Sequence, residues 1–435
     1  MKATAEFTHR YDTVLADLLA RAQPAWLHSR RREAYEVFQK LGLPSSRDED
    51  WKYTSLAGIE RAELDTVSAE IPAPALVNID SFDCPHAHKI VFIDGRFNLS
   101  LSNLGEPQSG ITLMPLAQAV TRNRLALSEF LGRLDSGDAA LASFNTALWR
   151  DGLYLELDRG ARLERPLIVH CISTAHRLVP VRHLFVLGEA AEATVVEHYQ
   201  SAQAGIHFTN AVTECLLGAN AQLNHIKLQD ENDQAFHTAR IIARQATGSR
   251  LLNLSLSAGA SLARNDIISH LDGEAASCTL NGLAIGIGRR HADHHTYIDH
   301  SHPAGISRQH HRGILADRSR VVFNGRVRVG KGAIKTDAQQ INRNLLLSCD
   351  AEADSKPQLE IYADDVKCSH GAATGGLDKA QLFYLRSRGL DEIEARSMLV
   401  QAFAASVLDV IEDAVLKQAL RNWVNAGLPE PAGEA

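Results

Sequence analysis

LGEAA (Leu187–Ala191), LGANA (Leu217–Ala221), QATG (Gln245–Gly248) and DGEAA (Asp272–Ala276) are four turn-like segments that overlay on one another along the middle of the chain. With Ala191, Ala221, Gly248 and Ala276 taken as equivalent, the offsets are 30, 27 and 28 residues. Between them lie short apolar or alternating runs such as PLIVHC (Pro166–Cys171), HLFVL (His183–Leu187) and ATVVEH (Ala193–His198), which read as strands. A drifting period of this size, with small residues at the corners, suits a β-solenoid, where each coil buries its apolar faces only by stacking on its neighbours. A β-sandwich or jelly roll with a coincidental spacing is the alternative on pattern alone.

Working outward, Asp94-Gly95, Asp151-Gly152, Asp272-Gly273, Asn281-Gly282 and Asn324-Gly325 read as turns. Hardly any long helical pattern intervenes between Leu153 and Cys368, which disfavours alternating βαβ folds. Before the strands, Tyr11 to Gly42 has helical spacing broken near Pro24, with Gly42 and Pro44 as a stop. A polar segment, SSRDEDWKYT (Ser45–Thr54), follows, and IPAPA (Ile71–Ala75) reads as a linker. Helical pattern returns at Leu377. Asp378 with Gln381 and Asp391 with Glu394 have capping-box offsets, and Gly389 stands where the first of two helices should end. The second carries Leu399, Phe403, Val407, Val410 and Ile411, a stripe to be docked on its own solenoid or offered to another subunit. The expected fold is mainly β, a β-solenoid core (91–376) between an N-terminal helical domain with linker (1–90) and a C-terminal helical domain (377–435).

The 435 residues carry 45 Lys+Arg against 52 Asp+Glu, a formal net charge of −7, which is too mild and of the wrong sign for a nucleic-acid binder. With 45% hydrophobic and 22% charged residues, the chain can bury a substantial core. Aromatics are only 6%, which suits a narrow core of stacked Val, Leu, Ile and Ala, and there are 20 His. The six Cys (84, 171, 215, 278, 349, 368) contain no C-x-x-C, so the chain has no private zinc or iron–sulfur motif. Met1 to Arg10 lacks the apolar region of a signal peptide, and no run approaches a membrane span. A cytoplasmic protein with reduced thiols is expected.

Gly325 to Gly332 matches G-x-x-x-x-G-K, but Gly332 stands where a P-loop needs Ser or Thr, and no helix pattern follows. A solenoid strand and turn is the better reading. Gly286-Ile287-Gly288 lacks the third Gly of a dinucleotide fingerprint. Eight His crowd between His270 and His311. In extended chain His294, His300 and His302 share one face, and His291 and His295 the other. Converging imidazoles can hold a transition metal, making His294 and His300 candidate ligands, while Asp293, Asp299, Thr296 and Arg308 offer ordinary hydrogen-bond partners. In Cys368-Ser369-His370-Gly371, a strand running on from Ile361 would put Cys368 and His370 on one face. Thiolate and imidazole are both iron ligands, and Lys367 could lower the thiol pKa. Two ligands are too few for a stable cluster, so a second chain would have to complete the site; a buried structural Cys beside a hydrogen-bonded His is the plain alternative.

KTDAQQINRNLLLS (Lys335–Ser348), KPQLEIYADDVKCSHGAATG (Lys356–Gly375) and LDKAQLFYLRSRGL (Leu377–Leu390) resemble the SufB/SufD family of iron–sulfur cluster assembly proteins. HHTYIDHSHPAGISRQ (His294–Gln309), RSRVVFNGRVRV (Arg318–Val329) and the Trp-Lys-Tyr-Thr segment within Asp48–Leu56 look like the same family. The ending KCSHGAATGG (Lys367–Gly376) resembles the D branch of that family rather than the B branch.

The resemblance implies a right-handed parallel β-helix with helical domains at both ends, and a protein that is not itself an ATPase. It implies a scaffold that pairs with SufB through the β-helix and with the ATPase SufC through the C-terminal helical region. A homodimer is compatible with it when SufB is absent. Cys368 and His370 match the functionally implicated pair of the D subunit and are expected to contribute to a nascent iron–sulfur cluster shared with SufB. Leu399, Phe403 and Val407 become candidates for SufC docking, and a reduced flavin is compatible with the complex. Two rivals stay open: a homo-oligomeric structural solenoid without metal chemistry, and a β-helical metalloenzyme using the His cluster.

Overall fold

The β-branched and leucine-rich runs form a coiled ribbon of parallel strands. In the computed structural model, which describes residues 7, 9–65, 82–106, 108–122, 125–134 and 139–430, successive strands alternate between two sheets of ten and nine strands. From Leu153–Leu157 onward each strand pairs in parallel with the strand two along, whereas His88–Ile93 pairs antiparallel with Arg96–Phe97 and Ile111–Pro115 with Leu153–Leu157. Glu192–Ser201 lies on Gln222–Gln229, which lies on Arg250–Ser257 and then Ser277–Gly286. The other sheet stacks Phe208–Leu217, Phe236–Gln245, Leu262–Leu271, His291–His300, Arg320–Val329 and Glu352–Ile361 in the same way. This is the parallel solenoid expected from the repeats. The linker read at Ile71–Ala75 lies outside the described residues.

The register moves one equivalence by a residue. Gln222 pairs with Arg250, so Ser249 rather than Gly248 stands opposite Ala221. Gly248 instead joins Ala190, Asn220 and Ala275 as the corner residue with positive φ, a conformation in which glycine is the least strained. Two Asn-Gly pairs expected to be turns are not turns. Asn281-Gly282 and Asn324-Gly325 lie in mid-strand, where the missing side chain leaves room inside the coil: a Cβ on Gly325 would come within 1.9 Å of Gln340 Nε2. The G-x-x-x-x-G-K stretch is the second half of Arg320–Val329 followed by a turn.

The solenoid has two apolar environments. Its lumen packs residues such as Leu155, Val181, Phe185, Val195, Ile241 and Ile267. The outer face of the ten-stranded sheet is covered by the C-terminal helices, with Leu416, Leu420 and Val424 against Ile226, Leu254 and Leu283. The outer face of the nine-stranded sheet is covered by N-terminal helices and by Ala140–Leu148, a helix that the strand pattern gave no sign of. Arg182 and Glu214, both buried, pin that helix. Arg182 Nη2 donates to Glu214 at 2.7 Å and its Nη1 to Asn145 and Thr146.

The N-terminal pattern resolves into Asp12–Ala20 and Ala25–Leu41, ended by Gly42 at φ +70°. The C-terminal pattern resolves into Lys379–Ser387, Glu392–Ala405 and a third helix, Ala414–Gly427. Asp391 and Glu394 form a complete capping box, whereas Asp378 caps Ala380 N alone. Among the described residues no helix is long and apolar enough to cross a membrane.

Candidate functional site

Cys368 and His370 lie on Lys367–Gly375, the last strand of the ten-stranded sheet. This strand does not continue from Ile361: Glu352–Ile361 belongs to the other sheet, and a turn separates the two. The two residues still share a face, because alternate residues of a strand point the same way. Cys368 stands in register with Ala338, His370 with Gln340, Ala372 with Asn342 and Thr374 with Asn344. All four partners are buried, so this face of the last strand covers the lumen. Among the described residues no further coil covers it, and residues 370–376 are exposed. Neither terminal strand has a partner on its outer edge among the described residues. The solenoid therefore ends in an open mouth with two free strand edges.

Cys368 is half-buried and packs with Leu359, Ala363 and Val366 against the lumen core. Burial pushes its thiol up, opposed by a hydrogen bond from the Ala338 backbone. This corrects the expectation that Lys367 lowers it: the neighbouring side chain projects from the opposite face, and desolvation decides the shift. Among the described residues no three His, Cys, Asp or Glu gather in metal-binding geometry. The chain by itself thus offers a pair of iron ligands, not a complete set.

The other expected ligands do not converge. His294 and His300 both point into the lumen of one strand but lie six positions apart, about 20 Å at strand rise. His294 Nε2 lies 3.0 Å from Ser257 Oγ and His300 Nε2 2.9 Å from Ser307 Oγ. Burial holds both imidazoles neutral, pulling each down to about 4. His291 and His295 face outward, held by Thr54 and Asp293.

The apolar stripe is divided. Val407 is 1% exposed and packs on the chain's own sheet. Phe403 lies under the Arg312 guanidinium at 4.5 Å, and its carbonyl accepts from Arg312 Nη1. Val407 is thus an anchor, not a docking residue, since the outer face of the sheet takes up this side of the stripe; Phe403 and Leu399 are half-covered. The exposed apolar side chains of this region are instead Phe383 (73%), Tyr384, Ile393 and Met398, on the helical pair Lys379–Ser387 and Glu392–Ala405.

Two features escaped the sequence reading. The first is a set of charged groups sealed in the lumen: Glu197, Lys227 and Glu231, with His225 and His237. Glu197 accepts from Tyr199, Thr213 and His225; burial opposes its charge, but His225 and His183 hold it well below the usual carboxylate range. Burial draws Lys227 down to about 8 against the pull of Glu231 and Glu197. In QLNHIKLQ (Gln222–Gln229) His225 and Lys227 alternate with residues of the other face, but nothing in that pattern tells lumen from solvent. The second is an N-terminal strap across the nine-stranded sheet. Trp51 lies on Arg264 at 3.7 Å, Thr54 Oγ1 donates to Asp293 at 2.5 Å, and Glu49 pairs with Lys356 of Glu352–Ile361. A groove of about 750 Å³ opens beside the strap. Its Arg244, Arg264 and Arg326 are already paired with Asp272, Asp266 and Glu360, so these three offer a flavin's phosphates no free guanidinium.

Residues 1–169 match the family description "SufBD protein N-terminal region", and residues 170–403 match "SUF system FeS cluster assembly, SufBD core domain". Over 419 residues the sequence is 35% identical to the iron–sulfur cluster assembly protein SufD of Escherichia coli, covering 92% of this chain and 93% of that protein. An iron–sulfur cluster assembly SufBD family protein of Synechocystis is 34% identical over 412 residues, 92% of this chain and 90% of the relative. The chloroplastic protein ABCI7 of Arabidopsis thaliana is 30% identical over 405 residues, 91% and 84% respectively.

Proposed function

Since the chain belongs to the SufBD family of iron–sulfur cluster assembly proteins, we propose that it is the D-type scaffold subunit, a non-ATPase assembly factor of the cytoplasm that completes its cluster site with a partner. It pairs with SufB through the free strand edges at the solenoid mouth and recruits the ATPase SufC through its C-terminal helices. Its three units, 1–90, 91–376 and 377–435, then serve as strap and cover, scaffold, and docking arm.

The observation that carries this reading is the pair Cys368 and His370 on one face of an uncapped last strand. A thiol and an imidazole about 7 Å apart along a strand present soft and borderline iron ligands at the end of a scaffold. Iron and sulfide are the cargo, and the remaining ligands come from the partner that covers the mouth. The half-buried thiol stays protonated in the free chain, which protects it from oxidation until a partner or metal stabilises the thiolate. The exposed Phe383, Tyr384, Ile393 and Met398 supply an apolar docking face for SufC. The groove beside the strap gives no support for a resident flavin, and no step is assigned to one.

The test is co-expression of the chain with SufB and SufC, followed by iron and sulfide determination on the purified complex. Cys368→Ala and His370→Ala should each leave the complex intact and lower both contents together. An intact complex of unchanged iron and sulfide content would sink the assignment of the pair.

A further inference from the structure

The sealed polar groups of the lumen form a line rather than a scatter. At one end, Ser201 is partly exposed, and its Oγ lies 3.5 Å from His207 Nε2; His207 Nε2 in turn lies 3.3 Å from Glu231. Lys227 sits between Glu231 and Glu197, feels both, and its Nζ has no hydrogen-bond partner among the described residues. Glu197 holds His225 at 2.9 Å, His225 meets Asn253 at 2.9 Å, and Asn253 accepts from Ser255 at 3.0 Å. Two residues along the same strand, Ser257 meets His294. The His294 ring stands edge-on to His311, 5.8 Å between centroids. The line then runs through Gln309 and Gln340, in register with each other, to His370 at the mouth.

The breaks in this line coincide with buried polar atoms that no protein group satisfies among the described residues. They are Lys227 Nζ, Asn265 Oδ1, both ring nitrogens of His311, Gln309 Nε2 and both amide atoms of Gln340. All five side chains are 3% exposed or less. A buried donor or acceptor left unmet is costly, so a cluster of them in one channel calls for a small hydrogen-bonding guest, and water is the guest that fits both donors and acceptors. Gly282 and Gly325 keep the bore open at this level. A Cβ on Gly282 would lie 2.4 Å from His311 Nδ1 and 3.0 Å from His294 Nδ1.

We propose that the lumen holds a file of bound water bridging these gaps, so that water and protons pass between the Ser201 corner and the inner side of the Cys368–His370 mouth. When a proton enters at the mouth end, another leaves to bulk solvent at Ser201, and no group on the line changes its protonation state on balance. Imidazoles suit the task, because a neutral ring accepts at one nitrogen while donating at the other. A mouth covered by a partner subunit would then still exchange protons with the solvent. Only this last consequence rests on the cluster-site reading given above; the path itself does not.

The test is hydrogen–deuterium exchange at the imidazole C2 position, read residue by residue by mass spectrometry on the full chain. His170 is the comparator: it is fully buried and held neutral by burial, but it faces away from the lumen. His225, His294 and His311 should exchange severalfold faster than His170. Gln340→Leu should slow His294 and His311 severalfold, whereas Gln340→Asn should not, and His207→Phe should slow His225. If Gln340→Leu fails to fold, Gln340→Met is the plug to use. Lumen histidines as slow as His170, or rates indifferent to the plug in a folded chain, overturn the proposal. Iron and sulfide content is a separate readout, so loss of the cluster assignment and loss of the path are distinguishable.

Discussion

His370 stands in register beside Gln340, one coil apart on the same face, and the two differ in that Gln340 is buried while His370 meets solvent. The boundary between lumen and surface therefore runs between adjacent strands, and Cys368 sits on it. The first prediction concerns this thiol. At pH 7.5 iodoacetamide should label the exposed Cys349 ahead of Cys368, because only the thiolate reacts and burial raises the Cys368 pKa. Labelling of Cys368 should climb about tenfold per pH unit until its pKa is passed. Mass spectrometry of the alkylated peptides measures both, and faster labelling of Cys368 at pH 7.5 would contradict the burial-dominated shift.

Gly325→Ala should destabilise the fold by about 1–3 kcal/mol through overpacking. The new methyl meets Gln340 Nε2 at 1.9 Å and Phe323 Cζ at 2.6 Å. Adding Gln340→Ala should recover part of the loss. Denaturant titration of the two single variants and the double variant measures the coupling, and strict additivity would place the clash elsewhere.

Glu214→Ala should cost about 3–5 kcal/mol, since it strands a buried guanidinium. It also removes the acceptor for the Gly132 and Leu134 backbone N–H groups. Thermal unfolding and protection of the Ala140–Leu148 amides report the effect; an exposed pair would give less than about 1 kcal/mol.

Acid should weaken the lumen through its buried histidines before ordinary surface carboxylates titrate. His294 and His300 have folded-state pKa values of about 4, depressed by burial, against about 6.5 unfolded. A depressed pKa means that the unfolded chain binds the extra proton first. Their contribution is therefore complete above pH 6.5 and is lost as pH drops toward 4, by roughly 3 kcal/mol for each such histidine. Melting temperature against pH should show this slope, and His294→Gln should flatten it.

Asp391→Ala should lower stability by about 1 kcal/mol by opening the capping box with Glu394. The loss should be confined to Glu392–Ala405 in amide exchange and leave the solenoid strands unchanged.

How much of this was legible in the sequence depends on which physical signal each feature leaves. Corner residues repeat because every coil must turn, so the solenoid was readable from Ala191, Ala221 and Ala276. The misplaced Gly248 shows the limit, since glycine marked the positive-φ corner one residue earlier. Asn281-Gly282 and Asn324-Gly325 misled because a glycine that clears space for a side chain across the lumen looks the same as one that turns the chain. Cys368 and His370 were legible as neighbours on a face, but the burial that raises the thiol comes from Leu359 and Val366 packing beneath it. Glu197, Lys227 and Glu231 were not legible at all: alternation shows that two faces differ without showing which one is dry. The stripe at Leu399, Phe403 and Val407 was real, and its partner was the outer sheet, which no periodicity within a helix can name.

The strap has a bearing on how the chain comes to be made. Glu49 bonds a lysine 307 positions later, Thr54 reaches 237 positions ahead to His291, and Asp50 O accepts from an arginine 214 positions on. Solenoid coils can zip one onto the next as they leave the ribosome, each closing a short loop. Asp48 to Thr54, made before any of these partners, keeps its tryptophan unsheltered until the coil carrying Arg264 exists, and its Glu49 contact waits for the coil carrying Lys356. Completion of its docking should therefore be the closing event of folding, and a chain stalled before Arg264 would display Trp51 as a mark of incompleteness to the cell's quality control.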